Sequence, residues 1–322
     1  MNATDVIKCF FMEVYWTKTS QDATASVTSC VVSAVFVLPA VFGNGIVMLV
    51  IWKKREFHLP SFALLFFLAG SDFLVGCVGQ PSFVAYKLAE SLGKFNAYCN
   101  LRMIEFFCGW ITSSISFITL AAVSVDRLLA LTLHLRYRSI ITVRRVTITM
   151  IAVWLFCCIT VFVKFWVRNW VIIPVSLVPV NISISTICTL KIYQIARRHQ
   201  YQITGQNRKM ADLQNAGNAA SQNKAVNAIK CKKAATTVLY LHGAMLAFYL
   251  PFIAVSAVEA IQGYALSIKI AYSYATTIVF INSSINPVIY SWRNTEVRRA
   301  IKDYLKKLGF RDNSGAAEGT GH

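Results

Sequence analysis

Asp72 stands in the run FALLFFLAGSDFLVG, which carries no other charge. A carboxylate in so apolar a setting is costly and needs a partner or a task. Further polar side chains recur in equally oily surroundings: Asn44 in VFGNGIVMLV, Ser116 in SSISFITL, and Asn282, Ser283 and Asn286 in INSSINPVIY. One carboxylate with several neutral oxygens suits a hard monovalent cation. The same set would equally form a water-filled polar network without an ion. Arg102 and Glu105, three apart on one helical face, read either as a mutual salt bridge or as contacts for a charged ligand. The five His are scattered, no Gly-rich phosphate loop is present, and no enzyme constellation emerges.

The elements that must position these residues cross a membrane. The chain is 56% hydrophobic and 14% charged, against roughly 25% charge in globular domains. A spanning helix needs about 20 mostly apolar residues. Seven stretches qualify: Val27–Trp52, Ser61–Tyr86, Tyr98–Leu129, Val143–Val167, Val171–Ile195, Ala225–Ala260 and Tyr264–Trp292. The expected fold is therefore an all-α membrane protein, a seven-helix bundle over 27–292. Residues 1–26 form an extracellular N-terminus, and 310–322 form a disordered cytosolic tail.

Lys and Arg set the orientation. The links after spans one, three and five carry Lys53, Lys54 and Arg55, then Arg136, Arg138, Arg144 and Arg145, then a longer basic series from Arg197 to Lys233. The opposite links hold only Lys87, Lys94, Arg168 and Lys269. The N-terminus is expected outside and the tail in the cytosol. The net charge of +18 then reflects topology and attraction to anionic inner-leaflet lipids, not nucleic acid. No cleavable signal peptide is expected, because a basic start followed by a short apolar core is lacking. Asn2 opens a glycosylation sequon on the outer side. Of nine cysteines, only Cys9 and Cys99 fall outside the membrane in an oxidising space, where they can form one disulfide if geometry allows. The polar stretch Arg197–Lys230 reads as a flexible cytosolic loop.

The motifs resemble those of the rhodopsin-like (class A) G-protein-coupled receptors, in order and over nearly the whole chain. They are Gly43-Asn44, Leu68-Ala69-Gly70-Ser71-Asp72, Asp126-Arg127-Leu128, Trp154, Pro251 in AFYLPF and Asn286-Pro287-Val288-Ile289-Tyr290. Within that family, VDRLLALTLHLRYRSIITVRRV and WRNTEVRRAIKDYL look closest to melanocortin-like receptors and their lipid- and adenosine-receptor relatives. The resemblance implies a plasma-membrane receptor that binds an extracellular ligand and activates heterotrimeric G proteins. It implies a short amphipathic cytosolic helix over 293–309, an allosteric sodium ion at Asp72, and no other cofactor or metal. It also implies a switch: Arg127 released from Asp126 as span six swings outward, with Pro251 and Pro287 as hinges, Tyr249 as toggle, and Tyr290 moving toward Arg127. The alternative is a seven-span transporter or proton-moving protein using Asp72, for which the Asp-Arg and Asn-Pro-x-x-Tyr motifs would have no purpose.

The departures from the family pattern are specific. Leu128 replaces the Tyr of Asp-Arg-Tyr, Tyr249 replaces the span-six Trp, and Thr189 replaces the span-five Tyr. No acidic residue lies near Cys231 to bridge to Arg127, while Lys230, Lys232 and Lys233 would repel it; ligand-free signalling is expected. Gly109 stands where amine receptors carry an aspartate, and Phe280 where opsins carry the retinal lysine. Ser82, Arg102 and Phe106 stand at the acidic calcium positions of melanocortin receptors. Phe106, Gly109, Trp110, Tyr249, Phe252, Ile253, Ser256 and Phe280, with Arg102 and Glu105, are the expected ligand pocket. Its aromatic lining suits a lipid, a small apolar molecule or a peptide side chain better than an amine or retinal. The same aromatic stripe would serve equally as plain core.

Overall fold

The structure, a computed structural model, describes residues 6–16, 20–133, 136–167, 172–211, 218–293 and 295–307. It is a bundle of long helices. We number them α1 (Ser20–Leu38, continued as Asn44–Lys53), α2 (Pro60–Leu74, continued as Gln80–Ser91), α3 (Phe95–Leu133), α4 (Val143–Phe162), α5 (Ile172–Ala211), α6 (Asn218–Gln262), α7 (Leu266–Arg293) and α8 (Thr295–Lys307). Among the described residues six helices, α1 to α6, are long and apolar enough to cross a membrane. α7 falls short of that composition because its buried face carries Lys269, Ser273, Thr277, Asn282, Ser283, Ser284 and Asn286. At 28 residues it still reaches about 42 Å, beyond a hydrocarbon core of about 30 Å. It packs lengthwise between α1 and α6. The polar groups that weaken its hydropathy are the groups the bundle interior uses.

Two π-helical turns, Pro39–Gly43 in α1 and Val75–Gly79 in α2, face each other. A Cβ on Gly76 would lie 2.9 Å from the Ala40 Cβ, so the glycine permits this contact. Gly43 is required for a similar reason: its Cβ would lie 3.0 Å from the Pro287 ring. The Gly-Asn and Asn-Pro motifs thus interlock, the bare glycine seating the proline of α7.

Three features differ from the sequence expectation. The N-terminus forms an antiparallel hairpin, β1 (Val6–Cys9) and β2 (Met12–Tyr15), with Cys9 opposite Met12. Its turn residue Phe10 takes φ +57°, in the left-handed region that a bulky residue adopts at a cost. α1 begins at Ser20 rather than near Val27. The expected loop over Arg197–Lys230 is helical up to Ala211 and again from Asn218. Its Gln, Lys, Arg and Ala are good helix formers, which is why a polar stretch continues as helix rather than coil. α8 buries Val297 and Ala300 and exposes Arg298, Arg299 and Lys302. It is tied to α1 by Lys53, which donates to the Tyr304 hydroxyl at 3.2 Å, and by a 3.6 Å Lys54–Asp303 pair. Asn2, the link Arg168–Asn169–Trp170 and the tail from Arg311 lie outside the described residues.

Candidate functional site

Asp72 lies on α2 one turn before its π-helical turn and is fully buried. Ser116 of α3 donates to Oδ1 at 3.0 Å, and Asn286 Nδ2 of α7 donates to Oδ2 at 2.7 Å. Ser283 of α7 is buried in the same cluster. Three helices therefore converge on one charge. Asn44 and Asn282 complete the cluster without touching Asp72 in the same way. Asn44 Nδ2 donates to the carbonyls of Ala40 and Ser283 at 2.8 and 2.9 Å, fastening α1 to α7. Asn282 is buried, and its Nδ2 has no hydrogen-bond partner among the described residues. The Asn44 Oδ1 is buried with no hydrogen-bond partner among the described residues. A carboxylate, hydroxyls and a spare amide oxygen are hard oxygen donors, the chemistry that fits a monovalent cation or ordered water.

At the hairpin end of the bundle, Arg102 Nη1 and Glu105 Oε2 pair at 2.6 Å. Arg102 also donates to the Tyr86 hydroxyl at 3.1 Å and lies over its ring at 4.9 Å. Of the two readings of this pair, the structure shows the mutual bridge. Phe106, Trp110 and Phe252 form an aromatic chain, with centroids 6.2 Å apart for Phe106–Trp110 and 5.8 Å for Trp110–Phe252. Phe252 continues to Tyr272 at 5.4 Å, and the Tyr272 hydroxyl contacts Ser256 Oγ at 3.1 Å and Glu259 Oε2 at 2.5 Å. Tyr272 and Glu259 belong to this group although the sequence reading passed over them. Gly109 leaves room for the Glu105 carboxylate, which would stand 3.3 Å from a Cβ there. Tyr249 sits deeper, 5.0 Å from the Phe117 ring, donating to the Ser113 carbonyl at 3.3 Å. Ile253 packs on the main core. Phe280 is 1% exposed and packs edge-on against Phe83 at 5.6 Å, beside Gly79 of α2.

The hairpin covers this end. Cys9 and Cys99 are joined by a disulfide, with Cα atoms 5.4 Å apart. Phe11 stands edge-on to Phe106, Phe107 and Phe165 at 5.7, 6.1 and 5.2 Å, and Trp16 packs on Phe95 and Tyr98. Beside it lies an ion cluster that sequence reasoning missed. Lys269 Nζ of α7 meets Asp22 Oδ2 of α1 at 2.8 Å and Glu90 Oε1 of α2 at 2.5 Å, and Lys87 stands 3.7 Å from Glu90. All four residues are at most 6% exposed. The available signal was weak: four charges at the ends of three apolar spans.

At the opposite end Asp126 accepts from Ser61 Oγ at 2.8 Å and from the Tyr137 hydroxyl at 2.5 Å, with Arg127 Nε 3.6 Å away. Burial, with the Asp126 carboxylate beside it, pushes the Tyr137 phenol up to about 12, so it donates at neutral pH. α6 is held here without ions among the described side chains. His242 Nδ1 and Nε2 lie 2.9 Å from Ser185 Oγ and 3.2 Å from Thr186 Oγ1 of α5. Ile192, Ala196 and Val238 pack with Leu128 and Leu131 below. Leu128, in the place of a tyrosine, belongs to that apolar clasp, and Thr189 turns its hydroxyl back to the Ser185 carbonyl at 2.8 Å. His242 is a second group the sequence reading missed; a lone His in an apolar run was its only mark. Pro251 and Pro287 both lie inside their helices. The side chains of Lys230, Cys231, Lys232, Lys233 and Tyr290 lie outside the described residues.

Long helices thus meet around a buried carboxylate, with an Asp-Arg pair at one end of the bundle and an aromatic cluster at the other. Residues 43–176 match the family described as 7 transmembrane receptor (rhodopsin family). The chain is 28% identical over 308 residues to trace amine-associated receptor 9 of Mus musculus, covering 86% of this chain and 84% of that protein. It is 26% identical over 283 residues to melanocortin receptor 5 of Mus musculus, covering 85% and 83%. It is 25% identical over 290 residues to melanocortin receptor 3 of Rattus norvegicus, covering 84% and 86%. The match and these similarities support a rhodopsin-like (class A) G-protein-coupled receptor and a multi-pass membrane protein.

Proposed function

We propose that this receptor sits in the plasma membrane with its hairpin outside, binds an extracellular ligand among α3, α6 and α7, and activates heterotrimeric G proteins through Arg127. The observation that carries this reading is the Asp126 cluster. Ser61 and Tyr137 hold the carboxylate, so Arg127, a third exposed, is held by a single 3.6 Å contact and is easily released. Sodium bound at Asp72 would hold α2, α3 and α7 in the arrangement seen here, and its loss would accompany activation. The family match over residues 43–176 speaks for a receptor rather than an enzyme.

The aromatic cluster of Phe106, Trp110, Phe252, Ser256 and Tyr272 suits a largely apolar ligand: a lipid, a small apolar molecule or an aromatic peptide side chain. An amine bound as in amine receptors lacks its aspartate at Gly109. Calcium-assisted binding lacks its acids at Ser82, Arg102 and Phe106. Basic residues at the Arg127 end would meet anionic inner-leaflet lipid. The test is guanine-nucleotide exchange on a panel of purified G proteins, with receptor in nanodiscs, screened against lipid and peptide libraries. Exchange that disappears with Arg127→Ala is expected. No exchange on any G protein with any ligand class, together with ion or substrate flux in liposomes, would favour a transporter using Asp72 instead.

A further inference from the structure

Between the ion cluster at the outer end and the Asp72 cluster at the centre, the seam of α1, α2 and α7 is polar along its length. α1 buries Ser29 and Ser33 at 1% and 0% exposure, α2 buries Gln80 at 0%, and α7 buries Ser273 and Thr277 at 3% and 5%. Successive spacings of three and four keep each set on one helical face. Contacts fix their level. α1 and α2 run antiparallel, with Cys30 Sγ 4.0 Å from the Val84 carbonyl and Ala40 against Gly76. Ser33 and Gln80 both fall between those two contacts. On the other wall, Thr28 meets Tyr274 at 3.4 Å and Ser284 donates to the Phe36 carbonyl at 2.7 Å. Ser29 and Ser33 therefore lie at the level of Thr277 and Phe280.

The hydroxyls on α7 are satisfied along their own helix: Ser273 donates to the Lys269 carbonyl at 3.1 Å and Thr277 to the Ser273 carbonyl at 2.8 Å. Those on the facing wall are not. Ser29 Oγ, Ser33 Oγ and both amide atoms of Gln80 are buried with no hydrogen-bond partner among the described residues. Serines in helices ordinarily fold back onto a carbonyl one turn earlier, and a buried glutamine amide ordinarily finds a donor and an acceptor. Four such atoms gathered on one seam mark a hydrated passage, since ordered water is what satisfies buried polar groups that protein does not.

We propose that the seam holds a file of ordered water running from the Lys269 cluster to Asp72, and that it is the route by which a monovalent cation exchanges with the Asp72 site. The route's role rests on the sodium reading of Asp72; the water file does not. The mouth carries two lysines and two carboxylates, a formal balance of zero, so its net charge does not repel a cation. The seam offers hydroxyl and amide oxygens, hard ligands suited to such an ion.

X-ray hydroxyl-radical labelling of the full-length receptor in nanodiscs, read by peptide mass spectrometry, detects water beside buried side chains. Phe280 is the probe. Met150 on α4, also 1% exposed and intrinsically the more reactive, is the dry control. Phe280 is expected to label faster than Met150, and Ser33→Leu with Gln80→Leu should cut that labelling severalfold while Met150 is unchanged. If the double variant does not fold, Ser29→Val carries the same comparison. Phe280 labelling at or below that of Met150, or labelling indifferent to these substitutions, overturns the water file. The exchange role is read separately, from the rate at which thermal stability responds to a jump from choline to sodium chloride. A severalfold slower response in the apolar variants supports it, and equal rates overturn it. A labelled Phe280 with no sodium response in wild type refutes the sodium reading and the exchange role, and leaves the water file standing.

Discussion

Lys269→Met tests whether the buried ion cluster fastens α1, α2 and α7 together. Lys269 holds two carboxylates from two other helices at 2.8 and 2.5 Å, in a site where no participant exceeds 6% exposure. Removing one partner of a buried pair leaves charge without its counterion, a loss of about 3–5 kcal/mol. Lys87 stands 3.7 Å from Glu90 and covers part of that carboxylate, which places the expected loss at the low end, about 3 kcal/mol. The assay is unfolding of purified receptor in detergent, alongside surface expression. Adding Asp22→Asn to Lys269→Met leaves Lys87 and Glu90 as a balanced pair and should recover most of the loss. A Lys269→Met receptor within about 0.5 kcal/mol of wild type would show the cluster to be worth no more than a surface pair. A double variant as unstable as the sum of its singles would refute the charge-imbalance argument itself.

Asp72→Asn removes the only charge among the side chains that meet at the centre of the bundle, so stabilisation by sodium chloride over choline chloride should vanish; a sodium response retained in that variant would exclude the ion site. Arg127→Ala, compared with wild type at matched surface expression in a reporter assay, should lower ligand-free signalling, and equal signals would refute an Arg127-dependent basal activity. His242→Ala removes two contacts between α5 and α6, each worth about 1 kcal/mol. Because about 1.4 kcal/mol is a tenfold change in population, basal signalling in the same assay should rise severalfold, and no rise would show that these contacts do not favour the resting state. Cys9→Ser should lower stability by about 2–4 kcal/mol, and non-reducing peptide maps of surface receptor should contain the linked Cys9–Cys99 pair; two free thiols there would refute the bond.

How much of this was legible from sequence depends on the range of the interaction. The apolar runs announced the bundle because a spanning helix satisfies its backbone locally and shows its whole length to lipid or neighbours. Asp72, Asn286 and Ser116 were legible because polar groups are rare in such runs. The hairpin was not. Its turn is Phe10-Phe11, which lacks the Gly or Asn that ordinarily marks a two-residue turn. It is held by long-range contacts from Phe11, Trp16 and Cys9 onto α3 and the end of α4. The ion cluster was equally hidden, since Asp22, Lys87, Glu90 and Lys269 meet only after three helices assemble. Phe280 stays ambiguous in sequence because an aromatic residue on the bundle face of α7 reads alike as pocket lining or as core, and its packing on Phe83 appears only in the assembled helices.

The Cys9–Cys99 bond also orders the receptor's birth. The two cysteines lie 90 residues apart, with all of α1 and α2 between them. In the proposed orientation, with the N-terminus outside, Cys9 would enter the oxidising lumen first and wait with a reactive thiol while two helices are threaded through the bilayer. Only when the start of α3 emerges does Cys99 become accessible, and bonding then closes a covalent loop around the first hairpin of membrane helices. An N-terminal tag that delays translocation of Cys9, or a sequence that slows insertion of α2, would lengthen that exposure and invite mispairing between chains. For this receptor, then, the fidelity of oxidation is a property of synthesis and insertion rate as much as of the finished fold.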